Sequence, residues 1–217
     1  MDCPLCFASA QPGFNLTREE VEQILDDYVR AEGNPEIVQF SGGEPTLHPH
    51  IIDFVRAAKA RGIPFIMINT NGKRIARDDR FLTQLSDVRP SFYFQFDGFE
   101  RDTYRILRGE PDILEEKIMA LDRLAAIGLS VTLVPAIERG VNEHEVGRIV
   151  DFAIKHPAVR GVNFQPAFHA GRHPRHDLPN GPKGGAMAER DLAKVLTKDK
   201  ARRIAVNVTG LPELSSP

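Results

Sequence analysis

The chain has 217 residues, 41% of them hydrophobic and 27% charged, with a formal net charge of −2. A chain this long and this ordinary in composition can fill a core, and its near-neutral balance gives no electrostatic reason to expect nucleic acid or an acidic membrane surface as partner. No apolar run reaches the eighteen or so residues of a membrane-spanning helix, and no leader pattern is found, so a cytoplasmic chain acting on a small molecule is expected.

From Leu16 the pattern is helical. Thr17 can cap, Glu19 and Glu20 suit the positive end of the helix dipole, and Val21, Ile24, Leu25 and Tyr28 recur at helical spacing to Ala31. Gly33-Asn34-Pro35 stops that helix, and Glu36 to Phe40 is a short strand running into Ser41-Gly42-Gly43-Glu44-Pro45. A second helix follows with Ile51, Ile52, Phe54, Val55 and Ala58 on its apolar stripe, closed by Gly62. Phe65 to Asn69 reads as a strand, Asp79 to Leu85 as a weaker helix, and Phe92 to Phe96 as a strand. Ile113 to Ile127 reads as a longer helix, Leu129 to Val134 as a strand, Glu143 to Ile154 as a helix and Gly161 to Gln165 as the fifth strand.

Strands alternating with helices of this length make a parallel sheet with right-handed crossovers, either an open doubly wound sheet or a (β/α) barrel. In both, ligands collect at the carboxyl ends of the strands. Those ends carry Ser41 to Pro45, Thr70-Asn71-Gly72, Gln95 with Asp97-Gly98, Pro135 to Asn142, and Gln165-Pro166. After Phe168 glycine and proline crowd together, and residues 173–217 read as a linker and irregular tail, with a short amphipathic helix over 186–199 and a strand over Arg203 to Val208.

Both cysteines, Cys3 and Cys6, lie in the opening octet. Two thiols only two residues apart are a poor disulfide framework for a chain of this size, which points to a reducing compartment and to metal or redox use. By itself the pair suits a thioredoxin-like redox site, zinc or an iron–sulfur site. A thioredoxin-like pair should open a helix, yet the first helix starts only near Thr17. Zinc would need more ligands, for which His169, His173 and His176 are the candidates, although a loop rich in arginine and proline usually keeps such histidines solvated.

With Cys3-Pro4-Leu5-Cys6 and Gly42-Gly43-Glu44-Pro45 read together, the chain resembles the radical S-adenosylmethionine (radical SAM) superfamily over residues 1–172. That family's cluster motif is C-x3-C-x2-C, followed one helix and one strand later by G-G-E-P at a strand end. Cys3 and Cys6 match its last two cysteines, Phe7 the aromatic after them, and Gly42, Gly43, Glu44 and Pro45 match fully; the first cysteine, and the strand before it, would fall upstream of Met1. The wording Gln39 to Thr46, Asn69-Thr70-Asn71-Gly72, Gln95-Phe96-Asp97-Gly98 and Arg139 to Asn142 is similar to the group of tetraether lipid synthase and pterin-methylating enzymes, and more distantly to the molybdenum-cofactor GTP cyclase.

The resemblance implies an α/β fold of the partial (β/α)6, TIM-like kind lacking its first strand, with a [4Fe-4S] cluster and SAM as cofactors. It implies an enzyme that generates a 5'-deoxyadenosyl radical for hydrogen abstraction from a small-molecule, lipid or pterin-type substrate, supplied with electrons by an external donor such as flavodoxin or ferredoxin. Cys3 and Cys6 would ligate the cluster. Gly42, Gly43 and Pro45 would let the backbone approach SAM, and Glu44 would accept from its ammonium, so that replacing Glu44 would weaken SAM binding and leave the fold intact. Thr70 and Asn71 would bind the methionine end, Gln95 and Asp97 the ribose, and Pro135 to Asn142 with Gln165-Pro166 would flank the adenine or nearby substrate. Two rival readings are a degenerate barrel that binds SAM or a nucleotide without a cluster, and a small zinc protein.

Overall fold

In the computed structural model, which describes residues 3–4, 15–167 and 205–206, Thr17 opens the first helix, α1 (Arg18–Glu32). Its hydroxyl accepts from the Glu20 amide at 3.2 Å while the Glu20 carboxylate accepts from the Thr17 amide at 2.7 Å, so two of the helix's orphan donors are satisfied reciprocally. Gly33, at φ 72°, closes it, and Val21 and Leu25 are the residues it buries.

The described residues fall into two units, one of residues 15–94 and 115–131 and the other of residues 3–4, 95–114, 132–167 and 205–206. In the first, β1 (Ile37–Phe40), β2 (Phe65–Thr70) and β3 (Ser91–Gln95, whose last residue belongs to the other unit) pair in parallel in that order. Ile37 lies opposite Phe65 and Phe40 opposite Ile68; Met67 lies opposite Ser91 and Thr70 opposite Phe94. Parallel neighbours need crossovers, and helices supply them: α2 (Ile51–Ala60) between β1 and β2, then a single short α3 (Lys73–Arg77) and α4 (Asp79–Val88) between β2 and β3. α2 buries Ile51, Ile52, Phe54, Val55 and Ala58, and at roughly 1.5–3 kcal/mol for each large side chain this stripe outweighs any propensity term. α4 is capped by Asp78, whose carboxylate accepts from the Phe81 amide at 2.9 Å, and α6 (Leu114–Ala126) buries Lys117, Ala120, Leu121 and Leu124.

The second unit holds α5 (Arg101–Arg108), most of β4 (Val131–Val134), β5 (Ala136–Ile137), α7 (Val146–Lys155), β6 (Val159–Val162), β7 (Gln165–Pro166) and β8 (Ala205–Val206). β6 lies between β4 and β8 and runs parallel to β8, and β5 and β7 form a separate parallel pair. Phe96 stacks on Phe152 at 5.2 Å between centroids and 3° between planes, which anchors α7 on the segment that begins at Phe96.

Eight strands stand among the described residues, where the sequence predicts five and a sixth over Arg203 to Val208. β5 and β7 are two-residue pairings too short for any periodicity, and β8 falls inside the segment 203–208 read as a strand. α5 is the one helix of ordinary length missed by pattern: its buried residues are Thr103, Tyr104 and Leu107, so the stripe is part polar. Its termination was visible, because Arg105 and Arg108 stand in the last turn and Gly109, at φ 73°, ends it. The expected helix over 186–199, and Cys6, Phe7, His169, His173 and His176, lie outside the described residues.

Candidate functional site

In the first unit the end of β1 is tied to the end of β2 by one carboxylate. Glu44 caps a 3-10 turn, Pro45–Leu47, and its Oε1 accepts from the Thr46 amide (3.2 Å), the Thr46 hydroxyl (2.6 Å) and the Thr70 hydroxyl (2.7 Å). Its Oε2 accepts from the Asn71 amide at 2.8 Å. The parallel register explains why they meet, since Phe40 opposite Ile68 carries the two strand ends forward together, and Asn69 Nδ2 donates to Ser41 Oγ at 3.2 Å on the way. Pro45 has no amide to satisfy at the first position of the turn, where proline is favoured. Thr46 and Thr70 are buried, while Gly42 and Gly43 are exposed. Gly42 takes φ 149°, and a Cβ built there would meet nothing within 4 Å. Gly42 therefore leaves open space beside a backbone conformation that other residues avoid.

Beneath this turn Thr70 Oγ1 accepts from the Gly72 amide (3.1 Å) and Asn71 Oδ1 from the Lys73 amide (2.9 Å), which starts α3. Lys117, 1% exposed, donates to the Asn71 carbonyl at 3.1 Å and lies 5.6 Å from the Phe94 ring centroid. Arg74 donates to the Thr46 carbonyl. Sequence reading missed Lys117 and Arg74. The signal for Lys117 was its position: it shares the stripe of Ala120, Leu121 and Leu124 at helical spacing, where an ammonium needs a partner.

In the second unit the corresponding strand end is organised by Asp97, which is fully buried. Its carboxylate takes a two-pronged ion pair from Arg108, Nε to Oδ2 and Nη2 to Oδ1 at 2.7 Å each, and Oδ1 also accepts from the Ala136 amide at 3.0 Å. The Asp97 carbonyl accepts from Asn142 Nδ2 at 2.7 Å; that same nitrogen donates to the Ala136 carbonyl at 2.8 Å, and Asn142 Oδ1 accepts from the Glu138 amide at 2.8 Å. Asp97, expected at the ribose, is thus enclosed and engaged by protein groups. Gln95, with its amide oxygen assigned toward Arg108 from the hydrogen-bond network, accepts from the same guanidinium at 2.6–3.0 Å.

Burial works against the charge of Arg108, yet Asp97 and then the nearby Cys3 raise its pKa all the same. Below this sits Glu145, fully buried, which accepts from the Phe99 amide and, at 2.6 Å, from the Thr103 hydroxyl. Tyr104 donates to the Gly98 carbonyl at 2.9 Å, and its burial pushes the phenol well above its ordinary value. Glu100, His144 and Glu145 bring ligand atoms within 4.8 Å of one another, but the oxygens of Glu145 already serve Phe99 and Thr103. Cys3 is half-buried, and Gln165 stands in β7, its amide donating to the Pro135 carbonyl at 2.9 Å. Among the described residues no helix is long and apolar enough to cross a membrane.

The model of the radical SAM superfamily matches residues 1–153. The chain belongs to the radical SAM superfamily. Family members are enzymes of SAM-dependent radical chemistry that use a [4Fe-4S] cluster and S-adenosylmethionine. Among curated relatives, the radical SAM chain is 32% identical over 178 residues to a 7,8-dihydro-6-hydroxymethylpterin dimethyltransferase of Methanocaldococcus jannaschii, covering 79% of this chain and 35% of the relative. It is 35% identical over 133 residues to a GTP 3',8-cyclase of Chlorobaculum tepidum, covering 59% of this chain and 39% of the relative. The chain therefore spans little more than a third of the length of these relatives.

Among solved structures, a domain of a pyruvate-formate lyase-activating enzyme from Bacteroides vulgatus covers 80% of this chain and 98% of its own at a TM-score of 0.58 and 17% identity. A radical SAM methyltransferase from Sphaerobacter thermophilus covers 95% of this chain and 62% of its own at 0.61, also at 17% identity. At that identity the likeness is one of fold, the TIM-like α/β class expected from the sequence.

Proposed function

We propose that this chain is a radical SAM core that binds a [4Fe-4S] cluster and SAM and serves hydrogen abstraction from a small organic substrate. The observation that carries the reading is the turn at Gly42 to Glu44, open above Gly42 and locked from below by Glu44, at the carboxyl end of a parallel strand, where such folds bind ligands. The donor chemistry of the opening segment fits the cluster. Cys3 and Cys6 are soft thiolate ligands at the spacing of the motif's second half, Cys3 near enough to Arg108 to act on it electrostatically, and they would supply two of the three thiolates. When bound, that cluster supplies the electron that splits a carbon–sulfur bond of SAM to give a 5'-deoxyadenosyl radical.

The chain's own residues bind and orient. Gly42, Gly43 and Pro45 shape backbone that SAM can approach, and Glu44 with Thr70 and Asn71 holds the methionine side, Glu44 accepting an ammonium as well as its protein donors. Gln95 belongs with the ribose, with Asp97 acting behind it through Arg108, and Gln165 with the adenine or nearby substrate. The pterin named for the Methanocaldococcus jannaschii relative makes a small heterocycle the first substrate class to try, with a lipid second. A low-potential donor such as flavodoxin or ferredoxin would deliver the electron. Residues 1–172 form the core in this reading, and the described pair Ala205–Val206 adds β8 beside β6.

Anaerobic reconstitution of the protein, with a cysteine supplied at the motif's first position, tests this. Iron and sulfide at one four-iron cluster per chain, a broad visible absorbance and saturable SAM binding are expected. A colourless chain that holds zinc, or fewer iron and sulfide than one cluster, refutes it, and SAM binding without iron supports instead a cluster-free SAM-binding barrel.

A further inference from the structure

Arg108 is the last residue of α5, and its partners Asp97 and Gln95 belong, like it, to the second unit. Only 12% of its side chain is exposed and none of Asp97's, so this is a desolvated ion pair, whose field is screened far less than that of a surface pair. Its geometry is the two-pronged fork, with both contacts at 2.7 Å and the Gln95 oxygen on the same guanidinium. The next residue, Gly109, turns the chain at φ 73°, and a Cβ there would stand 3.8 Å from Pro4 Cδ. The end of α5 therefore packs against the Cys3-Pro4 segment. Asp97 is pinned in turn by the Ala136 amide, and Asn142 holds the Asp97 carbonyl.

Resting on the cluster reading above, we propose that the Arg108–Asp97 pair is a buried electrostatic support for the cysteine segment, with Arg108 a positioning residue that sets how readily a cluster bound there accepts an electron. Three thiolates on a doubly charged four-iron core carry one net negative charge, and reduction adds another. A fixed guanidinium at the end of the helix that packs against Cys3-Pro4 favours that step, and Asp97 opposes it while holding the guanidinium in place. The two members of the pair thus have opposite signs of influence, although they are equal partners in packing.

That opposition is the test. In the same reconstituted protein, the midpoint potential is read by titration followed by electron paramagnetic resonance. Arg108→Gln should make reduction at least tenfold less favourable, a shift of about 59 mV per tenfold for one electron. Asp97→Asn should make it at least threefold more favourable, and the double variant should return within threefold of wild type. Arg108→Lys, which keeps the charge and loses the fork, should stay near the wild-type potential. If Arg108→Gln alone fails to fold, the other three variants carry the comparison. Shifts of the same sign for Asp97→Asn and Arg108→Gln, or Asp97→Asn and the double variant both within threefold of wild type with no difference between them, overturn the inference. A wild-type protein that takes up no cluster overturns the functional reading instead.

Discussion

Removing the Glu44 carboxylate is the perturbation whose cost can be worked most directly. The side chain is only half-buried, but two of the groups it serves are not exposed at all or nearly so: Thr46 at 0% and Thr70 at 3%. Glu44→Ala strands both hydroxyls and the amides of Thr46 and Asn71, four donors in all, and removes the cap of the 3-10 turn. Water can reach Asn71, so its amide costs little. The two buried hydroxyls at roughly 1–3 kcal/mol each set the scale, and a loss of about 2–6 kcal/mol is expected. For a chain of this size that lowers the melting temperature by about 5–15 °C.

Glu44→Gln keeps one acceptor oxygen and sets an amide nitrogen against the Asn71 amide, so about 1–2 kcal/mol is expected there. Circular-dichroism melts of the protein without cofactors measure both, and a double-mutant cycle with Thr70→Val should give a coupling of at least about 0.5 kcal/mol. A Glu44→Ala protein that melts within about 2 °C of wild type refutes the assignment of a structural load to this carboxylate. The sequence by itself led to the expectation that the fold would be indifferent to this residue. Its bonds make it a ligand candidate and a fastener at once, so a loss of SAM affinity in this variant has to be read beside its melting curve.

Two further outcomes follow from geometry. Gly72→Ala places a Cβ 2.4 Å from Cζ of the fully buried Phe94 at φ 88°, so backbone strain of about 1–2 kcal/mol and overpacking of about 1–3 kcal/mol should appear together as lost stability; chemical denaturation equal to wild type would mean Phe94 has room to move. Because the buried Tyr104 phenol titrates well above its ordinary value near 10, the folded chain keeps a proton that the unfolded chain releases, and this contribution to stability is present below about pH 10 and falls as pH rises beyond it, by up to about 1.4 kcal/mol per unit. Tyr104→Phe should flatten that part of the alkaline slope in urea melts between pH 8.5 and 11, at a cost of about 0.5–1.5 kcal/mol at neutral pH for the lost bond to Gly98; an unchanged slope would show that the phenol is not held protonated by the fold.

What could be read without a structure was whatever repeats locally or stands next to itself in the chain. The cap at Thr17, the apolar stripe of α2, the glycine stops at Gly33 and Gly62, and the joint spacing of Cys3, Cys6 and Gly42 to Pro45 are patterns within a turn, a helix or a motif, and from them came the α/β class and the family. Pairings between residues distant in sequence left no such mark. Glu44 and Asn71 are 27 positions apart, and Asp97 and Asn142 are 45 apart. Whether Asp97 would meet a ribose or an arginine depended on α5, whose part-polar buried face hides it from any periodicity. Its burial was decided by what the parallel register and the helix ends brought over it. The sequence names the polar groups that gather at the strand ends; only the tertiary structure decides which of them face one another, because a buried charge takes the partner that packing leaves within reach.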